Sequence, residues 1–350
     1  MKPLILTLIA VFLFSSAGFA VDNASDNLTL PHTFSAGETI SSSKMNENFE
    51  ALKQKLNETQ ELLNKLIKLN DLTQETNYVI VGQSGTLLIS TDGISWTSKA
   101  SIHNGNPLRA VTKANGIFVV VGDSGIILTS TDGAYWTAIN SGITANLKAT
   151  TYGNETFVAI SGDNIHTSSD GNSWTSRPSG TVNSLNDVIY ENGIFVVVCQ
   201  TGEIRTSTDG VSWTSRTSGT SNTLTGVTFG NGGFMVVGVS GIILSSPGGI
   251  SWTTRNSGTI ANLDAITYGS GTFITVGGSS GGIILTSPDG STWTSRLTEP
   301  TFELDGVTYG NGTFVAVGGS GTFLTSTDAG SWTSRNIGIS NLLYGVIYKQ

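Results

Sequence analysis

LDGVTYGNGTFVAVGGSGTFLTSTDAGSWTSR, Leu304–Arg335, reads as four short β-strands joined by tight turns. Leu304–Tyr309 is the first strand, and Gly310-Asn311-Gly312 turns the chain into the apolar run Thr313–Gly318. A Gly-Ser-Gly turn leads to Thr322–Ser326, and the hairpin Ser326–Trp332 delivers the fourth strand. Outward from this stretch the same unit recurs. All seven Trp close one motif, S-x-D-G-x-x-W or a near copy, ending at Trp96, Trp136, Trp174, Trp213, Trp252, Trp293 and Trp332. The steps between them are 40, 38, 39, 39, 41 and 39 residues. A fixed period of that size marks stacked supersecondary units, each too small to cover its own apolar faces.

Four β-rich strands per period describe a propeller blade. Runs such as Ile117-Phe118-Val119-Val120-Val121 fit strands covered on both faces. A β-solenoid would want shorter coils and no recurrent hairpin. The ends of the chain predict closure. The first copy opens at Asn77 without a first strand, and after the seventh motif the chain adds Leu343-Tyr344-Gly345-Val346-Ile347-Tyr348. The expected fold is therefore all-β over residues 77–350: a seven-bladed propeller whose C-terminal strand completes the first blade, one strand plus three.

Within the motif, Asp92, Asp132, Asp170, Asp209, Asp289 and Asp328 are placed to accept hydrogen bonds from turn amides. The Gly takes a positive φ and the Trp covers the hairpin base. Two copies depart from the pattern. Gly248 replaces the Asp in the fifth, and Ala329 replaces the Gly in the seventh, where Gly330 is expected to take the strained position. The motif resembles the Asp box of the bacterial neuraminidase repeat family, and the resemblance covers residues 77–350. It raises sialidase activity, which the residues oppose. Sialidases similar to this family hold a carboxylate with three inner-strand Arg, one in an Arg-Ile-Pro motif, whereas here no Arg-Ile-Pro occurs and Arg109 is alone on an inner strand. The family also includes photosystem II stability and assembly factors, exported propellers that bind a partner protein. This chain looks like them in repeat length but lacks their run of channel Arg.

Composition narrows the field. The 350 residues carry a net charge of −8 with only 17 Lys and Arg, so nucleic acid is an unexpected partner. Met1–Ala20, an apolar run behind one Lys and ending in small residues, reads as a signal peptide, with a retained anchor as the alternative. A secreted, periplasmic or cell-surface protein with no membrane span after cleavage is expected. Residues 21–44 read as a polar linker. Then Met45, Phe49, Leu52, Leu56, Thr59, Leu63 and Leu66 step by alternating threes and fours, the seam of a coiled coil over residues 45–70. So short a helix gains too little alone, so a dimer or trimer is expected, packing on the propeller being the alternative. The segment FSAGETISSSKMNENFEAL resembles a short module found ahead of coiled coils in bacterial surface and tail-fibre-like proteins.

Candidate site residues are those where the repeats disagree. The residue after the first-strand Leu is Arg109, Lys148, Asn186, Thr225, Asp264, Asp305 or Tyr344. Inner strands line a propeller's channel, so these seven are expected to ring one mouth. Gln83, Asp123, Asp163, Gln200 and Val239 vary in the adjoining loops. A mouth basic on blades two and three and acidic on blades six and seven suits a polar or zwitterionic group of a protein or glycan; a merely solvated rim is the plainer reading. In strand three, His166 and Arg205 replace Leu in consecutive blades, with Asp163 and Glu203 as expected ion-pair partners. Arg177, Arg216, Arg255, Arg296 and Arg335 recur with the period and are expected to stack on Trp or pair with carboxylates. Cys199, the single cysteine, reads as a core filler. His32, His103 and His166 show no ligand spacing, so no metal site and no cofactor are expected. The expected role is a non-catalytic binding, adhesion or assembly module. The alternative is a glycoside hydrolase using Asp264 and Asp305 as paired carboxylates.

Overall fold

The computed structural model describes residues 41–73, 76–99, 105–279, 281–296 and 302–348, in two compact units that divide after Thr73. The signal-peptide segment, the linker up to residue 40, His32 and His103 lie outside the described residues. The described part of the first unit is a 32-residue helix, Ser42–Thr73, preceded by Ser41. It begins inside the stretch expected to be linker, because the Ser41 hydroxyl accepts from the Lys44 amide at 3.3 Å and caps the first turn. Among the described residues no helix is long and apolar enough to cross a membrane.

The second unit is seven four-stranded antiparallel sheets, the blades of a β-propeller. Blades two to seven are contiguous in sequence, spanning 108–139, 147–178, 185–216, 224–255, 263–295 and 304–334. Blade one is built from Tyr78–Gly82, Leu87–Ser90 and Thr97–Ser98, with Leu343–Tyr348 as its inner strand. Tyr78 faces Tyr348 and Ile80 faces Val346 in that antiparallel pairing, which is the one-plus-three closure expected from the chain ends.

The core is not one mass but seven wedges, each shared by two neighbouring blades. Ile274, Val276 and Ile284 of blade six pack on Leu304, Phe314 and Leu324 of blade seven. Tyr78, Ile80 and Leu88 of blade one pack on Val315, Val317 and Phe323 of blade seven, which closes the ring. Second strands are apolar on both faces because a neighbour covers each face; Phe118–Gly122 is buried at every residue. Close approach matters at the inner ends: a Cβ at Gly310 would lie 1.9 Å from Tyr348 Cγ. The Tyr78 hydroxyl donates to Gly310 O at 2.6 Å in the same corner.

The hairpins work as their residues imply. In the fourth copy Asp209 Oδ1 accepts from the Val211 and Ser212 amides, both at 2.8 Å, and these amides hold its carboxyl down at about 2. Gly210 has φ +72°, and the Trp213 indole N–H donates to Gly210 O at 3.1 Å. The two departures resolve differently. In the seventh copy it is Ala329, not Gly330, that takes the positive φ, at 61°: the Asp328 carboxylate fixes the turn by accepting from the Gly330 and Ser331 amides, which leaves residue 329 at the left-handed corner. In the fifth copy only the bond from the Gly249 amide to Ser246 Oγ, 2.8 Å, survives. The indole N–H groups of Trp96, Trp252 and Trp332 are buried without a hydrogen-bond partner among the described residues.

The periodic arginines correct an expectation. Arg216, Arg255, Arg296 and Arg335 each donate from Nε to a Ser or Thr hydroxyl ten residues earlier on strand three, at 2.8–2.9 Å, and Arg177 does so at 3.3 Å. The antiparallel register sets each Arg beside that hydroxyl's strand, for example Arg216 opposite Ile204, which is two residues from Thr206 and on the same face of the strand. The hydroxyl is therefore within reach before any carboxylate or indole.

Candidate functional site at the channel mouth

Each inner strand carries one irregularity, and it lies at the variable residue. In blade two Leu108 pairs with Gly122 and Ala110 with Val121, so Arg109 has no partner of its own. The register shifts likewise around Lys148, Asn186, Thr225, Asp264, Asp305 and Tyr344. A β-bulge of this kind bends the strand and re-aims one side chain. In blade two the residue opposite has little room: a Cβ at Gly122 would lie 2.3 Å from Pro107 O. Seven bulges turned inward line a single axial cavity of about 530 Å³, to which all seven variable residues contribute.

Of the loop residues expected beside them, only Asp123 reaches this cavity. Gln83 lines a separate recess of about 440 Å³ with Phe302 and Glu303. Asp163 is exposed and accepts from Asn164 Nδ2 at 2.9 Å, and Gln200 is exposed on the turn after the second strand of its blade. That turn lies one strand further from the axis than the bulge, so its side chains reach the channel only when, as with Asp123, a long partner draws them in.

The charges at the mouth are unequally spent. Arg109 donates to both oxygens of Asp123, at 2.8 and 2.7 Å, and its guanidinium carbon lies 4.2 Å from the centre of the Tyr344 ring. Lys148 Nζ donates to Ser184 Oγ at 2.8 Å and Asn186 Oδ1 at 3.1 Å, and burial lowers its pKa. Asn186 Nδ2 donates to Leu224 O at 2.7 Å and the Thr225 hydroxyl to Leu263 O, so each binds its side chain to the next blade. This chain of cross-blade bonds stops at blades six and seven. Asp305 Oδ2 is buried with no hydrogen-bond partner among the described residues. Burial, with Glu303 nearby, pushes the Asp305 carboxyl up to about 7 and the Asp264 carboxyl up to about 6.

One charged residue of the cavity wall was not among the expected candidates. Asp187 stands where the other inner strands carry Ala110, Ala149, Gly226, Ala265, Gly306 or Gly345. Its oxygens accept from the Val188 amide on its own blade and the Val227 amide on the next, at 2.8 and 2.9 Å. Burial outweighs those bonds and lifts its carboxyl to about 6. The blade-to-blade comparison that picked out Asn186 would have found it one residue further along. With Arg109 and Asp123 cancelling, Lys148 stands against Asp187, Asp264 and Asp305, and the mouth is acidic once they ionise.

The secondary candidates separate. Arg205 pairs with Glu203 at 2.8 Å as expected and also donates to Gly180 O. His166 does not pair with Asp163: its ring nitrogens lie 2.7 Å from Ser161 Oγ and 2.9 Å from Ser176 Oγ. It is buried among hydroxyls of the flanking strands while Asp163 points to solvent, and burial lowers its pKa. Cys199 is fully buried, and desolvation pushes its thiol up to about 12, so it fills space.

No family model matches the chain, and no curated protein matches it. Solved structures do. YCF48 from Cyanidioschyzon merolae superposes with a TM-score of 0.54 at 15% identity, over 68% of this chain and 87% of that one. YCF48 bound to D1 peptide gives 0.53 at 17% identity, over 65% and 80%. A catalytically inactive virginiamycin B lyase from Staphylococcus aureus with quinupristin gives 0.55 at 13% identity, over 78% and 96%. At these identities the likeness is one of fold.

Proposed function

We propose that this protein is a non-catalytic binding module, and that the channel mouth receives a basic segment of a protein partner. The observation that carries the reading is the break in the cross-blade bonding: Lys148, Asn186 and Thr225 each bond to the next blade and Arg109 to Asp123, whereas Asp305, with the Asp264 charge close by, keeps one buried oxygen that has no hydrogen-bond partner among the described residues. An ammonium or guanidinium group would supply the donor that Asp305 lacks and offset the cost of ionising two neighbouring carboxylates. That a propeller of the same fold binds a peptide of D1 supports a protein ligand over a glycan. The S-x-D-G-x-x-W hairpins support kinship with Asp-box propellers, and Met1–Ala20 supports export.

The test is binding of the full chain to an array of basic, acidic and neutral peptides, with a glycan array alongside. Basic peptides should be retained, and Asp264→Asn with Asp305→Asn should weaken them tenfold or more, about 1.4 kcal/mol. Retention that ignores both substitutions, or confined to glycans, would refute the reading. A second reading is favoured by one feature, the Asp305 carboxyl at about 7 beside Asp264, since a glycosidase needs an acid protonated near neutrality. It requires turnover of a chromogenic glycoside that is lost with Asp305→Asn alone.

A further inference from the structure

The helix Ser42–Thr73 is about 48 Å long at 1.5 Å per residue, and five of its apolar side chains stand in solvent. Phe49 is 64% exposed, Leu56 54% and Leu62 65%, with Leu52 and Leu63 also open. These residues are not scattered. With Phe49, Leu56 and Leu63 at heptad position a, the d positions hold Met45, Leu52, Thr59 and Leu66. Positions b, c and f are polar or charged throughout apart from Ala51 and Leu72. A helix whose apolar residues are confined to one seam and its flanks is shaped for a partner helix with the same seam.

We propose that this seam pairs with the same helix of a second copy of the chain, parallel and in register. Orientation follows from the flanks. A parallel pair sets each g residue against the partner's e residue five positions on, which matches Lys55 with Gln60 and Leu62 with Ile67. No like charges meet, and the two apolar flanking residues meet each other. An antiparallel pair centred on the seam would set g against g, bringing the Lys55 ammonium onto Leu62. The lysines are also held on their own helix, Lys53 by Glu50 at 3.5 Å and Lys55 by Glu58 at 3.4 Å, so their charge does not oppose close approach. Asn70 falls at position a, where a polar pair is satisfied only when the two copies are in register.

The chain offers a clean test, because its single native cysteine, Cys199, is buried and unreactive. Full-length Leu63→Cys, oxidised with a copper catalyst, should give a disulfide-linked dimer in high yield. Equimolar Leu56→Cys and Leu63→Cys should each link to its own kind and not to the other. Ultracentrifugation should show an oligomer for the wild type and a monomer for Leu56→Asp with Leu63→Asp, the propeller's melting temperature being unchanged between them. A monomeric wild type overturns the proposal. So does preferential linkage of Leu56→Cys to Leu63→Cys, which would mean that the two helices are not in register.

Discussion

Asp305 shows how a single residue can cost the fold stability while equipping it to bind. Its carboxyl is raised from 3.8 to about 7 by burial and by Glu303. A carboxyl raised in the folded state contributes most below its unfolded pKa, and that contribution is lost as pH climbs through the folded value. The wild type should therefore lose stability between pH 4 and pH 7. Asp305→Asn should match it at pH 4 and exceed it at pH 8 by about 1–2 kcal/mol, a figure discounted from about 1.4 kcal/mol per pK unit for water in the channel. Urea melts at the two pH values would show it, and equal midpoints at pH 8 would contradict the burial argument. The position of this residue was legible, since comparing the repeats with one another marked it. Its isolation was not: whether a neighbour supplies a donor depends on blades about forty residues away in sequence.

At the scale of the element, the hairpin motif is a turn held by one carboxylate. Where Asp209 binds two amides and a hydroxyl, Gly248 leaves the Ile250 and Ser251 amides without that acceptor. A Cβ at Gly248 meets nothing within 4 Å, and its φ lies outside the left-handed region, so Gly248→Asp introduces no clash. It should stabilise the protein by about 1 kcal/mol near neutral pH. Asp209 is held down at about 2, so such a carboxylate contributes above about pH 4 and stops contributing as pH falls through 2. A gain in thermal midpoint at pH 7 that vanishes at pH 2 is the expected result; no gain at pH 7 would mean that the carboxylate is not what holds the turn. The composition of these elements was readable because turns and strands are specified locally. The partners of the periodic arginines and of His166 were not, because a strand's neighbours are chosen by register and no pattern within one strand records them.

The whole molecule depends on its last strand. Leu343–Tyr348 fills the inner position of blade one, and Tyr348 packs 4.8 Å from Tyr78 and over Gly310 of blade seven. Ending the chain at Leu342 would bare the edge of Tyr78–Gly82 and open two of the seven wedges. The truncated protein should melt at least 10 °C lower and aggregate, and a synthetic peptide of residues 343–350 added in trans should recover part of the loss. Unchanged melting without that peptide would contradict the closure.

By itself the sequence determined the number of blades, the strand content of each and the way the ring shuts, because a period, a turn residue and a missing first strand are written in consecutive residues. Tertiary structure alone decided which charges at the mouth remain available. A bulge shifts a side chain by one place in a two-residue alternation, and the bonds that then spend Arg109, Asn186 and Thr225 run to Asp123, Leu224 and Leu263. The first contact needs the inner strand and the following turn of one blade brought together, and the other two need neighbouring blades set around a common axis.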